Sequence, residues 1–178
     1  MRMKRLLILI LIISCAPKKV IDSRHLGPQR YCYETETGLI ITVKPEMKCP
    51  GYNFVNNESK RVLKRLGIPD RRDILTGAFI VFTPSQLICH TNKGPLTVDG
   101  CTYGQVAGVY LHGGKITWGP VYAHELVHII FNRCGLDTNL VDSNPTLLHI
   151  SRNIYTSFVM SRPWAKKLRK VKSYPGEN

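Results

Sequence analysis

The sequence predicts an α+β fold, a single domain in which a small mixed sheet packs against one long apolar helix. Residues 38–45 (GLIITVKP) and 77–84 (GAFIVFTP) are β-branched and aromatic runs that end in proline, a pattern typical of strands. Residues 56–67, between them, have polar cap-like residues, apolar residues at helical spacing and a terminal glycine, which indicates a helix. A chain of 178 residues is long enough for one domain with a sizeable core.

The N-terminal segment 1–14 has the pattern of an export signal. Three basic residues precede an unbroken apolar run over residues 6–13, which is much shorter than the roughly 20 residues that a membrane-spanning helix needs. The run leads into "IISC", residues 12–15, which resembles the lipobox of bacterial lipoproteins. The resemblance implies cleavage before Cys15, a lipid on its thiol and an anchor in the cell envelope.

The segment after the cysteine predicts a tether. Ala16 is not the aspartate that retains some lipoproteins in the inner membrane, so the resemblance favours the outer membrane if the source is Gram-negative. Residues 15–30 are polar, contain two prolines and lack periodicity. The folded domain is therefore expected to span residues 31–178.

The chain is strongly basic, with a formal net charge of +13. Loss of the leader with its three basic residues lowers this charge to +10. Such a surface suits anionic partners, and for an anchored lipoprotein these are lipid headgroups or cell-wall polymers. No nucleic-acid-binding signature accompanies the charge, so nucleic acid is not an expected partner.

Five cysteines remain after Cys15, so at most two disulfides form and one thiol is left over. Export makes pairing the expected state of these thiols. Cys89 and Cys101 flank a predicted loop rich in Gly, Pro and Asn, and their pairing leaves Cys32 with Cys49. Cys134 is the expected free thiol.

The second half of the chain is predicted to begin with a hairpin. Residues 106–111 and 115–118 are short strand-like runs, joined across His112-Gly113-Gly114, which offers the positive φ angles of a tight turn. Pro120 is placed to begin a helix over residues 121–134.

That helix contains no Gly or Pro, and Gly135 follows it where a C-terminal cap prefers glycine. Residues 137–145 are predicted to form a loop, after which Pro145 begins a further helix.

The stretch "YAHELVHIIF", residues 122–131, places two histidines four residues apart on the predicted helix. Four residues turn a helix by about 400°, so His124 and His128 lie one turn apart on the same face and can share a metal ion. Glu125 lies about 100° round from His124, which suits a base better than a ligand. The flanking residues are apolar, and burying these three polar side chains without partners would be costly.

This pattern fits a zinc hydrolase. Neutral imidazole suits Zn²⁺, and an open coordination position lowers the pKa of water to about 7 while the ion polarises a carbonyl. Glu125 would take the proton of the attacking water and pass it to the leaving amine.

"VYAHELVHII" resembles the extended H-E-x-x-H signature of zincin metallopeptidases, with uncharged residues wherever that signature excludes charge. The resemblance implies a zincin-like fold, zinc on His124 and His128, and catalysis by Glu125. It also implies an edge strand that holds the substrate backbone, a role expected of residues 115–118.

A third ligand is needed. The metzincin continuation requires glycine at position 131 and histidine at position 134, but the chain has Phe131 and Cys134, and Cys134 points about 240° away from His128. Asp142 is favoured because the preceding loop is long enough to return to the helix. The arrangement is then similar to aspzincins, although their Gly-Thr-x-Asp signature is absent.

Other candidates stay open. Asp137 follows the helix closely, and Glu177 is a remote choice. His149 is a ligand, a transition-state donor or a core histidine, Tyr155 is an oxyanion donor candidate, and Asp142 could instead cap the helix at Pro145.

The expected function is a lipid-anchored zinc metallopeptidase that cleaves peptides or proteins in the cell envelope or outside it. A peptidoglycan cross-link is a second amide substrate that suits the same chemistry. The alternative is an envelope lipoprotein that binds anionic polymer and carries a degenerate H-E-x-x-H site.

Overall fold

The computed structural model describes residues 21–112, 115–144 and 147. It confirms the α+β class, with two small mixed sheets and three helices among these residues. The strands are β1 Ile21–Asp22, β2 Arg30–Glu34, β3 Ile40–Val43, β4 Phe79–Thr83, β5 Leu87–Thr91, β6 Gly94–Val98, β7 Gly100–Tyr103 and β8 Val106–Tyr110. The helices are α1 Tyr52–Arg65, α2 Lys115–Arg133 and α3 Asn139–Ser143, with a 3₁₀ turn at Arg72–Ile74.

The larger sheet has the strand order β2-β3-β4-β8-β7. Strands β3, β4 and β8 are parallel to their neighbours in this group, whereas β2 and β7 are antiparallel edge strands. The sequence predictions of strands at 38–45, 77–84 and 106–111 are confirmed. One face of this sheet carries α1 and α2, as predicted for a sheet packed against the motif helix.

The smaller sheet, of order β1-β5-β6, was not predicted. The region between Cys89 and Cys101 is not a loop but contains most of an antiparallel hairpin of β5 and β6. Strand β1 pairs in parallel with β5, so the predicted tether is wrong from Ile21 onward and the folded part begins before Tyr31. Strand β1 has only two residues, which is too short for a recognisable strand pattern in the sequence.

Strand β4 is buried on both faces. Ile80 and Phe82 belong to the main core beneath the helices, whereas Val81 belongs to a second core beneath the smaller sheet. Leu26, Leu87 and Cys101 complete that second core. Burial on both faces explains why β4 reads as a continuous apolar run and not as an alternating one.

Helix α1 begins at Tyr52, four residues before its predicted start, and no side chain caps its N-terminus. Val55 is fully buried in the main core, and the Phe54 ring packs edge-on against Trp118 with centroids 4.9 Å apart. Burial of these residues extends the helix where the sequence has no capping signal.

Helix α2 contradicts the prediction of a strand at 115–118 and of a helix start at Pro120. The helix begins at Lys115, and Pro120 lies inside it. Trp118 is buried and packs edge-on against Phe82 and Phe54, at centroid distances of 5.2 and 4.9 Å. Burial of this large aromatic side chain offsets much of the roughly 3 kcal/mol that a proline inside a helix costs.

The predicted disulfides are confirmed. Cys32 pairs with Cys49, Cys89 pairs with Cys101, and Cys134 is a buried cysteine outside both disulfides. The second bridge joins the β5–β6 hairpin to the edge strand β7, so it connects the two sheets.

Several predictions concern parts of the chain outside the described residues. These are the leader 1–14, the lipidation site Cys15, residues 16–20 of the tether, the helix that begins at Pro145, and the candidates His149, Tyr155 and Glu177. Within the described residues, none of the helices is long and apolar enough to cross a membrane.

The Cys32–Cys49 bridge predicts a measurable loss of stability when it is removed. A double variant Cys32→Ala/Cys49→Ala should lower the free energy of unfolding by about 3 kcal/mol, because the unfolded chain gains the entropy of an open loop. Urea denaturation measures this change.

Thiol labelling of the unfolded, unreduced protein is the control, carried out in a Cys15→Ala background. Both this background chain and the double variant should react at one thiol, and Cys134→Ala should remove it. A second or third reactive thiol would contradict the assigned pairing.

Candidate metal centre

Helix α2 separates a core face from a cleft face. Tyr122, Leu126 and Ile129 are fully buried on the core side. His124, Glu125 and His128 instead line a cleft of about 930 Å³, bounded by α2, the edge strand β7 and the β5–β6 hairpin. The helical period therefore delivers all three motif side chains to one solvent-connected space.

Three potential ligand atoms converge at the mouth of this cleft. His124 Nε2 lies 3.1 Å from Asp142 Oδ1, and His128 Nε2 lies 3.3 Å from the same oxygen. The two Nε2 atoms are 3.2 Å apart. His124, His128 and Asp142 thus form a nearly equilateral triangle of donor atoms, and they are the described group whose geometry suits a metal ion.

Hydrogen bonds cannot pair all three atoms of this triangle favourably when Asp142 is a carboxylate. If both histidines carry hydrogen on Nε2, two N–H groups face each other across 3.2 Å. If one of them does not, its lone pair faces the carboxylate oxygen. A cation held by all three atoms removes either conflict, since each atom then acts as an electron-pair donor.

The dimensions of the triangle fit zinc. Zinc binds imidazole nitrogen and carboxylate oxygen at about 2.0–2.2 Å in a tetrahedron, which places neighbouring donor atoms about 3.3–3.5 Å apart. The separations of 3.1, 3.2 and 3.3 Å lie within a few tenths of an ångström of these values. Two nitrogens and one carboxylate oxygen beside an open cleft match a ligand set that zinc prefers.

The end of α2 explains how Asp142 reaches the histidines. Gly135 has φ 60°, and the amides of Gly135 and Leu136 donate to the carbonyls of Asn132 and Phe131 at 3.0 and 2.9 Å. This is a Schellman cap, which reverses the chain at the predicted glycine. The following segment is not the predicted loop, because α3 forms there and presents Asp142 to α2.

Asp137, the competing candidate, has a local structural role. Its Oδ1 accepts hydrogen bonds from the backbone amide and the side-chain amide of Asn139, at 3.0 and 2.9 Å. This turn stabilises the start of α3. The cap considered for Asp142, on a helix at Pro145, lies outside the described residues. Cys134 lies in the core, away from the cleft.

Glu125 is not part of the triangle and lies deeper in the cleft. Its side chain is 4% exposed, and the Thr102 hydroxyl donates a hydrogen bond to Oε2 at 2.7 Å. Burial raises the pKa of Glu125 to about 8, against the lowering effect of the Thr102 hydrogen bond, and the negative charge of Asp142 adds to the rise. A buried carboxylate of this kind is costly and is typical of functional sites.

His128 is held in the neutral form that binds metals. Burial lowers its pKa, and the charge of neighbouring His124 adds to this effect. Asp142 acts in the opposite direction through its charge and its hydrogen bond. The balance favours a neutral imidazole on His128.

The edge strand of this cleft is β7 and not residues 115–118. Gly100 and Thr102 of β7 contact Glu125, and sequence reasoning assigned neither residue a role. The strand period places both residues on one face, but nothing in the sequence places that face against Glu125. Strand β7 pairs with β8 along one side, and it lines the cleft beside α2.

Comparisons with known proteins add nothing to the assignment of this group as a candidate metal site. No family model matches the chain, and no curated protein or solved structure matches it either.

The triangle predicts different effects for the two aspartates. Asp142→Ala should weaken zinc binding at least about 100-fold, because the substitution removes the charged ligand, whereas Asp137→Ala should change it only a few-fold. Titration calorimetry with a competing chelator on detergent-solubilised protein measures both affinities.

Asp142→Asn is the matched control for shape, and it should also lose most of the affinity. Strong zinc binding by Asp142→Ala together with weak binding by Asp137→Ala would overturn the assignment.

Proposed function

We propose that this protein is a zinc-dependent metallopeptidase held at the cell envelope by a lipid on Cys15. One observation carries the proposal: three ligand atoms with the spacing of a zinc site lie beside a buried glutamate in an open cleft. His124, His128 and Asp142 are the proposed ligands, and Glu125 is the proposed catalytic base. A zincin-like arrangement of helix and edge strand is part of this proposal.

The chemistry follows from the roles of the side chains. Zinc, when bound, supplies a Lewis acid that polarises the scissile carbonyl and acidifies water. Glu125 takes the proton from the attacking water and delivers it to the nitrogen of the leaving amine. His124, His128 and Asp142 would hold the ion with only three protein ligands, so water or substrate could bind it as well.

The cleft favours an extended peptide as substrate. β7 is an edge strand of the larger sheet, and such an edge offers backbone donors and acceptors to an added strand. The cleft runs along β7 and α2, so a peptide paired with β7 would pass the proposed ligands and Glu125. Envelope peptides or proteins are the proposed substrates, and the amide of a peptidoglycan cross-link is a second candidate for the same test.

The location rests on the sequence of the leader. The basic start, short apolar run and Cys15 support a lipid anchor, and the net charge of +10 that remains after loss of the leader suits a surface of anionic lipid or polymer. An anchored enzyme of this charge would act on substrates close to the membrane that holds it.

Glu125→Gln separates catalysis from metal binding. The variant should bind zinc within about threefold of the wild-type affinity and should lose peptide cleavage by about 10²- to 10⁴-fold, because the amide cannot accept the proton. Zinc content and cleavage of a broad peptide library measure the two effects, with Glu58→Gln on α1 as the matched control.

Zinc binding without cleavage of any peptide or cross-link by the wild-type protein would contradict the peptidase. That result would favour the alternative of a polymer-binding lipoprotein with a degenerate site.

Cys15→Ala tests the anchor. The variant should be released from membranes into the soluble fraction, because the acyl chains contribute about 0.8 kcal/mol for each buried CH₂ group. Fractionation and metabolic labelling with a fatty acid measure the change. Unchanged membrane association of Cys15→Ala would contradict the lipoprotein assignment.

A further inference from the structure

We propose that Thr102 is a positioning residue that holds the Glu125 carboxylate in its working orientation, on a strand where Gly100 leaves room for it. This inference rests on the proposed function, because it gives Glu125 a reacting partner. It goes beyond the H-E-x-x-H motif, since both residues lie on β7, more than 20 positions before the motif.

The strand period brings both residues to the same side. Gly100 and Thr102 are two residues apart on β7, so they face α2 together, while Cys101 faces the second core. Pairing with β8 fixes this register, with Gly100 opposite Val109 and Thr102 opposite Ala107. Pairing with β8 therefore fixes the positions of the two β7 residues that Glu125 contacts.

Gly100 makes the close approach possible. A Cβ atom added at this position would lie 2.5 Å from Glu125 Oε1 and 2.8 Å from Glu125 Cγ. It would also lie 2.6 Å from Cγ1 of Val121. Any larger residue must displace the glutamate or move the helix, so the carboxylate occupies space that only glycine leaves open.

Thr102 supplies the direction of the carboxylate. Its hydroxyl donates to Glu125 Oε2 at 2.7 Å, the shorter of its contacts with Glu125, and lies 3.3 Å from the backbone carbonyl of that residue. A glutamate side chain has three rotatable bonds, and a short hydrogen bond to a carboxylate strongly restricts them. The hydroxyl thus keeps one carboxylate oxygen in place on the floor of the cleft.

The disulfide adds a second restraint to the same strand. Cys101, between Gly100 and Thr102, is bonded to Cys89 on β5. This part of β7 is therefore restrained by the β8 ladder and by a covalent bond to the opposite wall of the cleft. A donor on such a rigid segment can orient a base to within the tolerance that proton transfer requires.

Thr102→Val and Thr102→Ser test the role of the hydroxyl in the full chain, solubilised in detergent and loaded with zinc. Valine keeps the shape and suits a strand, whereas serine keeps the donor. Thr102→Val should lower kcat by about 10- to 100-fold with unchanged KM and zinc content, and Thr102→Ser should stay within about threefold of wild type. Thr97→Val, on the exposed β6, is the matched control and should change nothing.

A second measurement uses the metal-free protein. The ¹³Cδ resonance of Glu125, assigned by its loss in Glu125→Gln, should shift in Thr102→Val and return in Thr102→Ser. Wild-type kcat and an unshifted resonance in Thr102→Val would overturn the proposal. Equal loss of kcat in the valine and serine variants would also overturn it, because packing and not the hydroxyl would then matter.

The two proposals fail in different ways. If the wild-type protein cleaves no substrate, the proposed function fails, while the resonance still reports whether Thr102 orients Glu125. If wild type cleaves and Thr102→Val matches it, only the positioning role fails.

Discussion

The packing of α2 on the five-stranded sheet is the constraint on which the site depends. Tyr122 is fully buried, its ring stacks on Phe82 at 6.1 Å, and its hydroxyl forms a 2.6 Å hydrogen bond with Ser59 of α1. Each fully buried side chain of this kind stabilises the packing by roughly 1.5–3 kcal/mol. A helix seated in this way cannot rotate, so His124 and His128 must face the cleft and Glu125 must face β7.

Much of the fold could be predicted because its signals are local. The buried strands have continuous β-branched runs, and Gly135 ends α2 where a cap was expected. The start of α2 could not be predicted, because burial of Trp118 against aromatic rings distant in sequence overrides the proline signal. The β5–β6 hairpin was also missed, since its exposed residues and internal proline resemble a loop.

The candidate site also contains residues that could be predicted from the sequence and residues that could not. Residues four positions apart lie on the same face of any α-helix, so the convergence of His124 and His128 could be predicted from the sequence alone. The choice between Asp137 and Asp142 depended on which carboxylate forms hydrogen bonds within the turn after α2. Asp137 does so, because it accepts hydrogen bonds from Asn139. Thr102 could not be found in advance, because its meeting with Glu125 depends on a strand register and a helix position that are set elsewhere.

The three candidate ligands are not held with equal firmness, because one of them lies on the short helix α3. Two of the converging side chains lie on a long helix fixed in the core, whereas Asp142 is 64% exposed on five residues, of which Val141 is the buried one. The entropy of holding α3 in place must therefore be offset when an ion is captured. A bound ion would act as a non-covalent cross-link across the Gly135 turn, and the melting temperature of the protein would rise with the concentration of free zinc.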